Sequence, residues 1–333
     1  MLQTATITKQ ETTVKAFRPL FDVRKASFEH WLSCRTRFIT GTDAGTIAGV
    51  NKYQTPYQLY MEKKGLIKRE PANSAMIWGK RLEPVIRQAF AEETGYEVKE
   101  IPYMLVSTKY PWMAGNLDGA VRLPSGEWAV LEIKNLGPYT GSTEYANGEA
   151  EGYASPAHVL QLYHYMIICQ CRKSVLCALI SGQKLVRQVI EYDDETANAL
   201  IALEKEFYYN SLKRSVPPLV SGDDNGLLAQ LYPKAEKKEI QLPEPAGQLI
   251  QSYDAACRDL KEAEQRKASA EASLKDLMKE ASIGVWNSRK VTWSETTTRR
   301  ISNAKLKEIL TPEQIESCTT EISYRRFGVS KTK

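Results

Sequence analysis

The residues with the clearest capacity for chemistry are two carboxylates and one lysine on a predicted β-hairpin. Asp118 precedes a short strand, and Glu132 and Lys134 lie in the next strand, after a turn marked by Pro, Ser and Gly at residues 124–126. Side chains alternate faces along a strand, so Glu132 and Lys134 share one face. A loop with an odd number of residues would place Asp118 on that face too, with β-carbons about 4.5–5.5 Å apart across the strands. Carboxylates so close repel each other unless a cation lies between them.

This set of groups suits metal-dependent cleavage of phosphodiesters. Hard divalent ions such as Mg²⁺ bind oxygen atoms from one or two carboxylates and from a substrate phosphate. We expect Asp118 and Glu132, with the main-chain carbonyl of Ile133, to hold Mg²⁺, for which Mn²⁺ can substitute. Lys134 then steadies the attacking hydroxide or the charge that grows at phosphorus. The simpler alternative is a surface hairpin with a solvated Glu–Lys pair.

Two predicted helices flank the hairpin in the sequence. The apolar spacing of residues 77–90 indicates an amphipathic helix, and Pro84 favours a start two residues before it, with Glu83 in the first turn. Residues 159–168 indicate a largely buried helix with one polar amide, Gln161. Taken alone, Glu83 is a solvated helix residue and Gln161 an amide that faces water or another helix.

In this order, the segments resemble the YqaJ-like viral recombinase family, relatives of the lambda-type exonucleases among the PD-(D/E)XK nucleases. The similarity begins with ITGTDAGTIAGVNKYQTP at residues 39–56. It continues through Trp78-Gly79, GNLDG at residues 115–119 and EIK at residues 132–134 to about residue 220. The resemblance implies an α/β fold with a PD-(D/E)XK restriction-endonuclease-like core, in which helices flank a mixed central sheet. A small C-terminal α+β domain with a long helix is expected to follow.

The resemblance also implies the site and the activity. It assigns metal binding to Asp118 and Glu132, with Glu83 as a further candidate ligand, catalytic support to Lys134, and active-site roles to Glu83 and Gln161. The implied reaction is Mg²⁺-dependent 5′→3′ digestion of double-stranded DNA ends, which leaves 3′ single-stranded tails for annealing. The implied setting is a phage or prophage protein in the cytoplasm of a bacterial host. A phage single-strand annealing protein is the expected partner, and homo-oligomer formation stays open.

One position departs from the family. Lambda-type members hold the 5′-phosphate with an arginine just after the opening segment, and the matching residue is Asp43, which cannot bind a phosphate. We expect Asp43 to cap a helix over residues 44–50, which leaves strict dependence on a 5′-phosphate open. The cations close enough in sequence to replace that arginine are Arg35, Arg37, Lys52, Lys80 and Arg81.

Pro- and Gly-rich segments between residues 215 and 247 divide the chain. We expect a nuclease core over residues 1–220 and a C-terminal extension over residues 221–333. A heptad stripe predicts a helix from about residue 247 to 280 within that extension.

The end of the chain carries the net charge. Residues 281–333 contain ten Lys and Arg against five Glu, which equals the whole excess of +5. A strand-like segment over residues 285–301 mixes cations with tryptophans, which suits phosphate contact and base stacking on DNA. A solvated basic face explains the same residues equally well. The candidate DNA contacts there are Arg289, Lys290, Arg299 and Arg300.

Composition argues against several other classes. No apolar run approaches the ~18 residues of a membrane helix, and residues 1–18 lack a signal-peptide pattern, so we expect a cytoplasmic protein with no membrane partner. The histidines show no metal-ligand or triad spacing. An early and three late cysteines allow an iron–sulfur cluster, although the late ones are better explained as small core residues. They are Cys34, Cys169, Cys171 and Cys177.

Three other functions stay open. A structure-selective or nicking endonuclease would use the same residues. A DNA-binding adaptor without enzymatic activity would make the carboxylates incidental. A structural oligomerisation protein would depend on the heptad stripe alone.

Overall fold

The predicted hairpin lies in the middle of a five-stranded mixed sheet. The strands are β2 (Glu97–Lys99), β5 (Gly119–Arg122), β6 (Trp128–Leu136), β7 (Lys173–Ile180) and β8 (Lys184–Glu191), in the order β2-β5-β6-β7-β8. Strands β6 and β7 are parallel, and the other pairs are antiparallel. This computed structural model describes residues 15–139, 154–236 and 238–330.

A second, three-stranded sheet is connected to the first through consecutive strands of the chain. It contains β1 (Phe17–Asp22), β3 (Tyr103–Ser107) and β4 (Ala114–Asn116), in the antiparallel order β1-β3-β4. Strand β4 is followed almost at once by β5, so Asp118 lies at the junction between the two sheets. Because the main chain is fixed by pairing on both sides, the position of this carboxylate is fixed by the fold.

Helices cover both faces of the five-stranded sheet. The α-helices that precede the long C-terminal helix include α1 (Phe28–Arg37), α2 (Gly41–Ile47), α3 (Pro56–Lys63), α4 (Ser74–Thr94), α5 (Pro156–Cys169), α6 (Asp194–Glu206) and α7 (Asn225–Leu231). Ile86 and Phe90 of α4 pack against Leu131 and Ile133 of β6. Glu132 and Lys134, whose side chains alternate with these, meet Gln161 of α5 on the other face. The expected α/β fold with a mixed central sheet between helices is confirmed.

The two best-buried cysteines lie in different cores. Cys34 packs with the β1-β3-β4 sheet, whereas Cys177 packs in the core beneath α4. Within the described ranges, no group of three or more His, Cys, Asp or Glu side chains could hold a metal ion. The structure therefore offers the iron–sulfur alternative no site among the described residues.

The start of α4 differs from the prediction. The helix begins at Ser74, where the Asn73 side chain accepts a hydrogen bond from the Met76 N–H (3.0 Å), so Pro84 lies inside it. An interior proline costs a helix about 3 kcal/mol or more, and the packing of the following turns against β6 offsets this cost. Glu83 therefore lies in the middle of the helix, and the helix N-terminus does not stabilise its charge.

The second compact unit comprises Ala229–Lys333 and the first Met1–Leu228. The long helix is confirmed as α8 (Ala246–Met278) and has no buried residue. It is followed by the hairpin β9 (Ile283–Trp286) and β10 (Arg289–Thr292) and by α9 (Asn303–Ile309) and α10 (Pro312–Ser317). The expected C-terminal α+β domain is thus present.

The prediction of one strand-like segment over residues 285–301 was wrong in its length. Its alternation covers a turn at Asn287, which has a φ of 51°, and pairing ends at Thr292.

Across the described residues, no helix combines the length and apolarity needed to cross a membrane. Residues 1–14, which hold most of the segment considered for a signal peptide, lie outside the described residues.

Candidate active site

The β5–β6 hairpin has the odd loop on which the predicted geometry depends. Gly119 pairs with Leu131 and Arg122 with Trp128, which leaves residues 123–127 as the loop. The Leu123 N–H donates to the Glu127 carbonyl (2.9 Å), and Gly126 takes a φ of 88° that glycine adopts readily. Continued by one residue, this register places Asp118 opposite Glu132.

Glu132, Lys134 and Gln161 form one hydrogen-bonded group. Lys134 Nζ donates to Glu132 Oε1 (2.6 Å) and to Gln161 Oε1 (3.0 Å). Gln161 Nε2 donates to the same Glu132 Oε1 (2.6 Å) and to the hydroxyl of Tyr165 (3.2 Å). Glu132 is only 2% exposed, so these bonds form away from bulk water. Two side chains on different elements thus hold a single oxygen of Glu132.

Asp118 contacts β6 through the main chain. Its Oδ2 accepts a hydrogen bond from the Ile133 N–H (2.9 Å). The contribution predicted for Ile133 was its carbonyl, whereas the contact with Asp118 is made by its N–H. A metal-ligand role for that carbonyl stays a prediction.

Burial makes both carboxylates costly to ionise without a cation. The pKa of Asp118 is raised well above its usual range, first by burial and then by the charges of Glu132 and Glu83. Burial also raises the pKa of Glu132, and attraction to Lys134 opposes this rise only in part. Burial alone would lower the pKa of Lys134, but Glu132 and Asp118 outweigh it and raise that pKa. The site therefore holds a charged ammonium beside two carboxyls that gain from a positive ion.

The donor set fits a hard divalent cation. Glu132 Oε2 is buried and has no hydrogen-bond partner among the described residues, and such an atom is costly to leave unsatisfied. The carboxylate of Asp118 accepts from the main-chain N–H of the residue that follows Glu132, Ile133 (2.9 Å). Mg²⁺ is typically held by one or two carboxylates and completes its shell with water and phosphate oxygens. Two protein carboxylates therefore suffice for such an ion.

Glu83 approaches this group from α4. Its charge contributes to the raised pKa values of both Asp118 and Glu132. Its own oxygens accept from Lys80 Nζ (2.9 Å) and Arg87 Nη2 (2.7 Å). Sequence reasoning did not find Arg87, because an i, i+4 pair of Glu and Arg is common on solvated helices.

Asp43 does not cap α2 as predicted. Thr40 is the N-cap, and Asp43 lies in the first turn, where its Oδ2 accepts from the Thr40 N–H (2.7 Å) and hydroxyl (2.8 Å). The prediction was wrong because the helix begins earlier, at Gly41, and a carboxylate at the third helical position completes a capping box.

Two cations surround the buried carboxylate of Asp43. Lys63 Nζ lies 2.8 Å from its Oδ2 and Arg35 Nη2 lies 3.3 Å from its Oδ1. Burial would raise the pKa of Asp43, but these cations outweigh burial and lower it to about 2. Arg35 also donates to the hydroxyl of Thr42 (2.7 Å). Arg35 is thus engaged within the protein, and the sequence did not indicate Lys63.

The other predicted DNA contacts are distributed over the surface. Burial, together with the charges of Lys134 and Lys52, lowers the pKa of the half-buried His158 to about 3. The guanidinium of Arg81, two residues before Glu83, lies over the ring of Trp78 (5.3 Å). The remaining cations are exposed, namely Arg37, Lys80, Arg289, Lys290, Arg299 and Arg300. Their roles in DNA binding stay predictions.

Comparison with known proteins gives one family and one full-length relative. Residues 30–172 match the YqaJ-like viral recombinase domain. The YqaJ protein of Bacillus subtilis (strain 168) is 28% identical over 311 residues, which cover 92% of this chain and 95% of that protein. The matched segment contains every residue of the hydrogen-bonded group.

Solved structures of two exonucleases are similar to this chain at lower sequence identity. The alkaline exonuclease LHK-Exo from Laribacter hongkongensis is 21% identical with a TM-score of 0.42, covering 56% of this chain and 98% of that one. A phage-related exonuclease from Haemophilus somnus 129PT is 13% identical with a TM-score of 0.41, covering 56% and 100%. By its sequence match, the chain is similar over residues 30–172 to the YqaJ-like viral recombinase domain.

Proposed function

We propose that this protein is a Mg²⁺-dependent exonuclease that digests double-stranded DNA from its ends during phage or prophage recombination. The observation that carries the proposal is the unpartnered Oε2 of Glu132, which is buried opposite Asp118 and next to a charged lysine. Glu204 Oε2 is also buried without a partner, in the ion pair with His164, so the proposal depends on Asp118 and Lys134 as well as on this oxygen. Together they provide two carboxylates for a cation and an ammonium for a phosphate.

Each residue has a distinct role in the proposed reaction. Asp118 and Glu132 hold Mg²⁺, or Mn²⁺ in its place, which when bound neutralises charge at the scissile phosphate and makes water a better nucleophile. Lys134 holds its ammonium beside them and stabilises the charge that develops at phosphorus. Gln161 holds Glu132 and Lys134 in place, because its amide NH₂ donates to Glu132 and its amide oxygen accepts from Lys134. Glu83 adds negative charge that favours the cation.

Direction and partners follow from the family. We propose 5′→3′ digestion that leaves 3′ single-stranded tails, and a phage single-strand annealing protein that receives them. The nuclease core is proposed to span residues 1–220, with residues 221–333 as an extension that helps hold DNA. Because Arg35 is engaged with Asp43, we expect only weak dependence on a 5′-phosphate.

The test compares two forms of one plasmid. Wild-type protein is incubated with linear duplex and with covalently closed circular duplex, with Mg²⁺ and with a chelator. We expect nucleotide release from the linear form only, and only with the metal. The linear duplex carries separate 5′ and 3′ labels, and early release of the 5′ label supports the proposed direction.

Two other outcomes would contradict the proposal. Nicking of the closed circle at a similar rate would favour an endonuclease that uses the same residues. Binding of DNA without any metal-dependent cleavage would favour an adaptor.

A further inference from the structure

A buried tyrosine on α5 contacts the proposed site through Gln161. The hydroxyl of Tyr165 accepts the hydrogen bond from Gln161 Nε2 (3.2 Å), one helical turn along α5. Tyr165 is only 4% exposed. Burial, together with the charges of Glu132 and Asp118, raises its pKa well above the usual range. The group therefore stays protonated and acts through hydrogen bonding.

Two glycines make room for the ring of Tyr165. A Cβ on Gly41, in the first turn of α2, would lie 2.5 Å from two carbon atoms of the ring. A Cβ on Gly115, in β4, would also lie 2.5 Å from a ring carbon. Neither glycine has a positive φ, so the backbone conformation would allow a side chain at both positions. The space that the tyrosine ring occupies does not. Two elements distant in sequence thus hold one aromatic ring in place.

The contacts of the Gln161 amide and of Lys134 leave one oxygen of Glu132 unpaired. Its carbonyl faces the ammonium of Lys134, and its NH₂ faces Glu132 Oε1. The reverse orientation would place oxygen against carboxylate and NH₂ against ammonium, and both contacts repel. With Oε1 occupied by Lys134 and Gln161, Oε2 is the oxygen left for a cation.

We propose that Tyr165 is a positioning residue: its hydroxyl anchors the Gln161 amide and so keeps Oε2 of Glu132 available to the metal. This inference rests on the proposed exonuclease function. Groups that orient metal ligands typically change metal affinity or activity by about 10–100-fold when removed.

The matched test pair is Tyr165→Phe and Tyr163→Phe. The first change keeps the ring between the two glycines and removes only the hydroxyl. We expect a 10-fold or greater loss in cleavage rate or in Mg²⁺ affinity, with the melting temperature and duplex affinity unchanged. Tyr163 is equally buried on the same helix, but its hydroxyl bonds the main chain at Glu191 and Asp193 (both 3.1 Å). Tyr163→Phe should therefore cleave like wild type.

A double-mutant cycle separates positioning from general packing. In a Gln161→Leu background, Tyr165→Phe should cause no further loss, because the hydroxyl then has no amide to hold. Additive losses would overturn the inference, as would wild-type cleavage and Mg²⁺ affinity in Tyr165→Phe. Wild-type protein that fails to cleave at all would instead contradict the proposed function. In that case, calorimetric Mg²⁺ affinities of the same variants still decide the role of Tyr165.

Discussion

At the scale of single residues, Lys134 differs in kind from the two carboxylates beside it. Its ammonium lies 2.6 Å from Glu132 Oε1, and Asp118 also attracts its charge. It cannot bind a cation, so its removal should lower the cleavage rate without removing a metal ligand. The two carboxylates, in contrast, are proposed to bind the metal as well as to support the reaction.

We therefore predict different losses from Lys134→Ala and Asp118→Ala. Lys134→Ala should reduce the cleavage rate by about 10²–10³-fold, the usual effect of removing one preorganised electrostatic group, while Mg²⁺ still binds. Asp118→Ala should lose both cleavage and Mg²⁺ binding. Cleavage rates and isothermal titration calorimetry measure the two properties, and full activity in Lys134→Ala would be incompatible with this assignment.

The residue types and spacing predicted much of this site. Alternation along β6 placed Glu132 and Lys134 on one face, and the turn residues allowed the odd loop that places Asp118 opposite. The residues that surround the site could not be predicted from the sequence. Arg87 and Tyr165 reach it through side-chain directions and helix packing, which local periodicity does not encode.

At the scale of elements, a buried ion pair joins α5 and α6 to the strand that leads to Asp118. His164 Nδ1 lies 2.8 Å from Glu204 Oε1, and His164 Nε2 lies 3.0 Å from the carbonyl of Ala114 in β4. Both side chains are fully buried. Burial would lower the pKa of His164, but Glu204 outweighs burial and raises it.

This pair should contribute to stability in a pH-dependent way. We predict that His164→Leu lowers the free energy of unfolding by about 3–5 kcal/mol, because Glu204 is left buried without its partner. Replacing both residues by Leu should recover most of that loss. Urea unfolding of the three proteins at pH 6 measures these differences, and a double variant no more stable than the single one would contradict the pairing.

The sign of the pH dependence follows from the raised pKa. The folded protein binds the His164 proton more tightly than the unfolded chain, whose histidines titrate near pH 6.5. The stabilisation is therefore complete below about pH 6.5 and is lost as the pH rises through the folded pKa of His164. The double Leu variant should lack this part of the decline.

Element boundaries were predicted less well than element types. The α8 helix was expected to within a few residues, because its heptad pattern is long. The start of α4 differs from the prediction, because an N-cap at Asn73 and packing after Pro84 sustain a helix that begins well before the proline. The start of α2 was missed for a similar reason, since two capping candidates lie close together at Thr40 and Asp43.

At the scale of the whole molecule, the basic tail and the proposed nuclease core lie in different compact units. All residues of the proposed site lie in the first unit. Near the end of that unit, the buried carboxylate of Asp224 accepts a hydrogen bond from the hydroxyl of Thr55 (2.5 Å), the N-cap of α3. A truncation that spares the core must therefore retain Asp224.

We predict that a protein ending at Leu228 folds and still cleaves DNA. Its duplex affinity should fall, and the slope of log K against log salt should decrease by roughly 0.7–0.9 for each DNA phosphate that the tail would otherwise neutralise. Binding at several salt concentrations and processivity on a long duplex measure the effect. Unchanged affinity and slope would assign the tail to assembly or to a protein partner.

Asp118, Glu132 and Lys134 are proposed as the centre of a metal-dependent nuclease. The most direct measurement is the rate of Mg²⁺-dependent nucleotide release from a linear duplex by wild-type protein, Glu132→Gln and Glu127→Gln. Glu127 lies in the same hairpin but pairs with Lys173 at the surface (2.8 Å), so it serves as the matched control. We predict that Glu127→Gln cleaves like wild type and that Glu132→Gln releases almost nothing. Equal rates for all three proteins would contradict this assignment.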